Sequence, residues 1–225
     1  MFFRLFILLF FYISSQFMNA QDWAALNHFK AHNEALSPSP SNENRVVFMG
    51  NSITIGWLEA RPEFFKNKPY INRGISGQTT PQMLVRFRRD VINLQPKVVV
   101  ILAGTNDIAG NTGPMTIEMT LDNLKSMSEL SHANGIKVVL CSILPASAFP
   151  WRPDKKPNIK IPILNQMIKQ YAETNGFEYL DYFSYLTDGN NGMKSEYAHD
   201  GVHPTAQGYE VMERLLTQKL NRILE

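Results

Sequence analysis

Val98-Val99-Val100-Ile101-Leu102 runs straight into Ala103-Gly104-Thr105-Asn106-Asp107. The first five residues are all apolar, four of them β-branched, with no polar residue in alternation. Such a run suits a strand buried on both faces, the condition of a central strand in a parallel sheet covered by helices. The polar residues that follow then fall where that strand ends. In open parallel sheets ligands collect beyond the carboxyl ends of the strands. The junction therefore predicts a fold class and the edge on which to look for chemistry.

The same succession recurs on either side. Arg45 to Met49 predicts a buried strand ending on Gly50, Pro69 to Arg73 a second, Lys137 to Ile143 a fourth and Phe177 to Asp181 a fifth. Met83, Leu84, Phe87, Val91 and Leu94 recur at helical spacing, with Arg86, Arg88 and Arg89 between them on what reads as a solvated face. Ile117, Leu121, Leu124, Met127 and Leu130 mark another helix, stopped by Asn134-Gly135. Ile161 to Asn175, closed by Gly176, and Thr205 to Leu224 complete the set. Strand and helix alternate throughout, which predicts a doubly wound α/β sandwich over residues 45–225. Residues 21–44 read as a short surface helix, up to about residue 36, and a linker through Ser37-Pro38-Ser39-Pro40-Ser41-Asn42.

The chain has 225 residues, 44% of them hydrophobic, enough for one domain with a sizeable core. Residues 1–20 differ: Arg4 precedes the apolar stretch Leu5 to Ile13, and small and polar residues lead to Ala20. That is the pattern of a signal peptide, too short to cross a bilayer comfortably at roughly 20 apolar residues per span. A secreted or periplasmic protein is expected, and no cysteine follows the leader to carry a lipid anchor. Its loss lowers the formal charge from +2 to +1, which gives no reason to expect nucleic acid or an anionic membrane as partner. The one cysteine, Cys141, lies in an apolar run, reads as a small buried hydrophobe and excludes an internal disulfide. An exported chain of this size without disulfides fits a bacterial periplasm or surface.

Three polar blocks follow predicted strands: Gly50-Asn51-Ser52-Ile53-Thr54, Asn72-Arg73-Gly74-Ile75-Ser76-Gly77 and Gly104-Thr105-Asn106-Asp107. A fourth, Asp200-Gly201-Val202-His203-Pro204, can return to the same edge before the last helix. A hydroxyl nucleophile, an imidazole base three residues from a carboxylate, and donors on glycine-rich turns are the parts that acyl transfer requires. Ser52 is the candidate nucleophile, although serine at a strand-to-helix turn also reads as a helix N-cap. His203 is the candidate base and Asp200 its orienting partner, with Asp107 as a rival for that place or a cap of the helix it begins. Asn106 can offer a side-chain amide and Gly77 a backbone N–H to an oxyanion, and both residue types also favour turns. His199, Asp200 and His203 are close enough to raise a metal site, but no further His or Cys cluster accompanies them. Thr54 stands where the α/β-hydrolase nucleophile elbow needs glycine.

The order of these blocks resembles the SGNH hydrolases, the GDSL-type esterase/lipase family, from about Val46 to Pro204. The resemblance implies a three-layer flavodoxin-like sandwich with a parallel five-stranded sheet in the order 2-1-3-4-5. It also implies a catalytic Ser52, Asp200 and His203, an oxyanion hole of Ser52, Gly77 and Asn106, and no cofactor or metal. Asn51 departs from the family's usual Asp, and the preference for Gly77 over Gly74 follows from matching Ile75-Ser76-Gly77-Gln78-Thr79 to the family run. The Gly-Ile-Ser-Gly and Gly-Thr-Asn-Asp blocks are similar to platelet-activating-factor acetylhydrolase-like members, which favours a short acyl group. The expected function is a secreted serine esterase for acetyl esters of small molecules or glycans, in particular carbohydrate O-deacetylation. The alternatives are a lysophospholipase or thioesterase with a longer acyl pocket, and a carbohydrate-binding relative without turnover. Phe149-Pro150-Trp151-Arg152 can stack a sugar ring or pack its loop onto the core.

Overall fold

The computed structural model describes residues 22–36, 38–40 and 42–225, so the predicted signal peptide lies outside the described residues. Strands β1 (Val46–Gly50), β2 (Tyr70–Gly74), β3 (Val98–Leu102), β4 (Lys137–Cys141) and β5 (Glu178–Leu180) form one sheet in the order β2-β1-β3-β4-β5. Every pairing is parallel. The all-apolar β3 lies at the centre and is buried along its whole length, as its composition requires. One apolar cluster, containing Met83, Phe87, Leu124 and Ile168, covers one face. A second, built on Phe48, Trp57, Tyr209 and Met212, covers the other.

Register explains why the polar blocks meet. Gly50 lies opposite Gly74 on β2 and Leu102 on β3, so three strands end level and their loops leave from one edge. Glycine is required at two of these ends. A Cβ on Gly50 would strike Thr54 Oγ1 and come within 2.8 Å of Leu102 O, and one on Gly74 would strike Ile55 N and Asn51 O. The helix Ser52–Ala60 is thus seated directly against the strand ends. It is clamped from behind by Trp57, stacked between Phe64 and Tyr209, while Tyr209 Oη donates to Ile53 O at 2.8 Å. Tyr209 belongs to the last helix, Ala206–Leu224, which therefore fixes the start of the Ser52 helix from the far end of the chain.

Two expectations change. The N-terminal helix covers only Lys30–Ala35, preceded by turns, and its segment is tied to the domain. Asn33 Oδ1 accepts from Arg73 Nη2 at 2.6 Å, Asn33 Nδ2 donates to Asp90 Oδ1 at 2.8 Å, and Arg73 lies 4.6 Å over the Phe29 ring. Burial lowers the Arg73 guanidinium to about 10. The second correction concerns Arg86, which is fully buried within helix Thr80–Asp90 instead of solvated. Strand ends leave the carbonyls of Gly50 and Arg73 beneath this helix. Arg86 Nη2 donates to both, at 3.3 and 2.8 Å, while Nη1 pairs with Asp90 at 3.0 Å. Buried carbonyls need donors, and a guanidinium can serve several at once. Met83, Phe87 and Asp90 share its buried face, so the spacing that marked the helix also marked Arg86 as inward.

Candidate active site

Ser52 is the first residue of its helix, and Asn51 before it is the N-cap, its Oδ1 accepting from Ile53 N at 3.0 Å. This resolves the two readings of Ser52: the neighbouring amide satisfies the helix end, so the serine hydroxyl is left for other work. It also accounts for Asn51 in place of Asp. A neutral amide at a position 1% exposed keeps the capping oxygen without a buried charge.

Ser52 Oγ lies 3.0 Å from His203 Nε2, and His203 Nδ1 lies 2.8 Å from Asp200 Oδ2. The loop that carries the pair is pinned locally. Asp200 Oδ1 accepts from Val202 N at 3.0 Å and His203 N at 2.8 Å, and Gly201 supplies the positive φ of 83° that the tight turn needs. Thr205 then caps the last helix through Gly208 N, and His199 N donates to His203 O at 3.0 Å. Burial acts to raise the Asp200 carboxyl, but hydrogen bonds from His203 and Val202 and the nearby imidazole charge hold it below the usual range. Both Asp200 oxygens are thus engaged, Oδ1 by its own turn and Oδ2 by His203.

The candidate oxyanion donors lie at the same edge. Neither Ser52 N–H nor Gly77 N–H makes a hydrogen bond among the described residues. Gly77 has a φ of 76° with open space where a Cβ would stand, whereas Gly74 is enclosed by the Ser52 helix and its N–H is taken by Asn72 Oδ1. The structure therefore separates an accessible glycine from a packing glycine. Asn106 lies in the short helix Thr105–Ala109 and is 4% exposed. One of its amide hydrogens goes to Gln78 O at 3.0 Å, and the other has no partner among the described residues.

Asp107 neither reaches His203 nor caps its own helix. Its Oδ1 accepts from Thr80 N at 2.9 Å and from Thr80 Oγ1, so it satisfies the first N–H of the helix after β2, whose N-cap is Thr79. Burial raises its carboxyl to about 6, with the Thr80 bonds pulling the other way. Cys141 is buried, which pushes its thiol up and away from the nucleophilic thiolate. The Phe149–Arg152 segment divides its roles. Phe149 is fully buried, and Arg152 donates to Ala109 O and Gly110 O at 2.9 Å each. Trp151 stacks on Phe149, is 40% exposed, and has its ring centre 6.3 Å from that of His203. Asn111, which the sequence did not single out, accepts from Trp151 Nε1 at 3.2 Å and donates to Gly77 O at 3.3 Å. On the other side of Ser52 a cleft of about 540 Å³ runs over Ile55, Gly56, Glu59, Ser76 and His199.

A parallel sheet in the order 2-1-3-4-5, with a serine hydroxyl, an imidazole and a carboxylate in a row at its carboxyl edge, matches a class, the α/β acylhydrolases of this fold. More narrowly, the chain belongs to the GDSL-like lipase/acylhydrolase family, whose model matches residues 48–211, and it is a carboxylic ester hydrolase. It is 24% identical over 200 residues to the platelet-activating factor acetylhydrolase IB subunit alpha2 of Rattus norvegicus, covering 86% of this chain and 83% of that one. It is 26% identical over 235 residues to an acetylxylan esterase of Xylanibacter ruminicola, covering 84% of this chain and 47% of that protein. A crystal structure of a GDSL-like lipase from Bacteroides thetaiotaomicron superposes with a TM-score of 0.86 at 48% identity, over 88% of this chain and 98% of that one.

Proposed function

We propose that this chain is an exported serine esterase that removes acetyl groups from carbohydrate. Ser52 Oγ attacks the ester carbonyl carbon while His203 Nε2 takes its proton, and Asp200 holds the imidazole in the tautomer with the proton on Nδ1. The tetrahedral oxyanion is received by Ser52 N–H, Gly77 N–H and the free amide hydrogen of Asn106. The protonated imidazole passes its proton to the sugar oxygen as that bond breaks. Water, deprotonated by the same nitrogen, then cleaves the acetyl-serine.

The observation that carries this reading is the unbroken Ser52–His203–Asp200 chain at 3.0 and 2.8 Å. The acyl size is supported by the loops after β3 and β4, residues 109–113 and 145–157, whose Gly, Asn, Ser and Pro content supplies little apolar wall for a long chain. The cleft beside Ser52 is mixed, with Ile55, Ala60, Pro204 and Tyr209 beside Glu59, Ser76 and His199. The names of both relatives also specify acetyl as the group removed. Carbohydrate is supported by Trp151, whose exposed ring is held by Phe149 and Asn111 beside His203, as a stacking surface for a sugar requires. Export is supported by the leader at residues 1–20.

The test is a series of p-nitrophenyl esters from acetate to octanoate, run beside acetate release from acetylated xylan. An enzyme that buries its acyl chain gains roughly 0.8 kcal/mol per methylene, so its kcat/KM climbs with length. Here acetate should be preferred to butyrate and octanoate should be poor. Rates rising steadily to octanoate would replace this reading with a lysophospholipase. No acetate release from any acetylated glycan would remove the carbohydrate.

A further inference from the structure

Gln78 follows the accessible Gly77 and is itself 3% exposed, although its side chain is polar. Each of its polar atoms away from the site is committed. Oε1 accepts from Arg86 Nε at 2.6 Å, and Nε2 donates to Ala24 O at 3.0 Å. Its backbone carbonyl accepts from Asn106 Nδ2 at 3.0 Å. Through one residue, therefore, the loop that bears the Gly77 N–H is joined to the Asn106 amide. The same residue is joined to a buried guanidinium that also holds Gly50 O, two positions before Ser52. The third joint is to residues 22–36, which precede the family-matched region. That segment is secured beside Gln78 by Gln82 Nε2, which donates to Trp23 O at 2.6 Å.

We propose that Gln78 is a positioning residue through which Arg86 and the N-terminal segment hold the Gly77 N–H and the Asn106 amide at the oxyanion site. An oxyanion hole acts because its donors are fixed before charge develops, and a displacement of about 1 Å can cost roughly a hundredfold in rate. A residue that joins two of the three donors to a buried ion pair supplies that fixity. Gln78 touches no reacting atom, and its effect is felt in kcat while ground-state binding stays the same. The inference rests on the assignment of Gly77 and Asn106 as oxyanion donors.

The variants are Gln78→Met, Gln78→Asn and Gln78→Glu in the full chain, with competent sites counted by fluorophosphonate titration. Gln78→Met removes both side-chain bonds, and Gln78→Asn is too short to span Arg86 and Ala24. Each should lower kcat per titrated site by about 10- to 100-fold, with KM changed less than about threefold. Gln78→Asn keeps a buried polar partner for Arg86 and so gives a folded protein if Gln78→Met does not. Inhibition by phenylboronic acid, whose anionic tetrahedral adduct with Ser52 places a boronate hydroxyl oxygen in the hole, should weaken in step with kcat. Gln78→Glu keeps the acceptor for Arg86 but sets a carboxylate oxygen against Ala24 O in place of the N–H donor, so its kcat per titrated site should lie between those of Gln78→Met and the parent. A kcat per titrated site and a boronate affinity both within threefold of the parent in Gln78→Asn would overturn the inference and leave the esterase assignment standing. A loss confined to the number of titratable sites would overturn it as well, by showing a purely structural role. Turnover that survives Ser52→Ala would instead overturn the assignment of the site.

Discussion

Replacing Asp200 by Asn changes one oxygen to NH₂ without changing shape, so its effect can be worked from three distances. In the parent, Oδ1 accepts from Val202 N and His203 N at 3.0 and 2.8 Å, and Oδ2 faces His203 Nδ1 at 2.8 Å. The introduced amide can sit in two ways. With its oxygen toward the backbone, both backbone bonds survive, but the NH₂ faces Nδ1 and demands a lone pair there. The ring proton then moves to Nε2, which can no longer take the proton of Ser52. With its oxygen toward Nδ1 the tautomer is right, but two backbone bonds are lost, at roughly 0.5–1.5 kcal/mol each. The competent arrangement is thus disfavoured by about 1–3 kcal/mol, a factor of about 5 to 150. Loss of the negative charge beside the forming imidazolium adds about another tenfold. The expected fall in kcat is about 10²–10³. That is less than the roughly 10⁴ known for a buried triad, because the Asp200 side chain is 42% exposed and water softens both penalties. The assay is p-nitrophenyl acetate hydrolysis per folded molecule, with folding followed by circular dichroism and KM expected to be unchanged. A loss below tenfold in folded Asp200→Asn protein would refute the tautomer argument and the role given to Asp200.

Ser52→Ala should abolish fluorophosphonate labelling and turnover while leaving the unfolding transition in place, because Asn51 rather than Ser52 caps the helix. Full activity in the folded variant would end the nucleophile assignment. Asn106→Ala should cost roughly 10²–10³ in kcat if the amide meets the oxyanion, and a loss below about fivefold would leave it only as a partner of Gln78 O. Asp107 gives a pH test of stability. Its folded carboxyl is raised from 3.8 to about 6, so between these values the folded state holds a proton that the unfolded state has released. Stability must then fall as pH rises from about 4 to about 6, by about 3 kcal/mol for this group, and level off above. Asp107→Asn should lack that decline. Urea unfolding of both proteins at pH 4 and pH 7 checks it, and a stability difference that is the same at both values would show that Asp107 ionises as an ordinary carboxylate.

The layers of the fold and the edge on which the candidate site lies were legible before any chain was folded. Val98 to Leu102 could only be a strand covered on both faces, and glycine-rich polar blocks after three such strands could only gather beyond their carboxyl ends. These are local matters, since strand period, helix period and turn chemistry are written within a few residues of one another. The residues proposed for the reaction were legible for the same reason, each being a polar residue at a strand end or helix start. Which partner each group takes was settled by the assembled sheet and its helices. Ser52 meets His203 across 151 positions, Asp107 turns back to Thr80 instead of toward His203, and Arg86 enters the core to supply carbonyls of β1 and β2. Asn51 takes the cap that Ser52 could locally have filled, and residues 22–36 are joined to the domain through Asn33 and Gln78, contacts that no local pattern specifies. A hydrogen bond depends on a few tenths of an ångström and on who competes for each donor. That competition is settled only when strands from distant parts of the chain have been brought side by side in register.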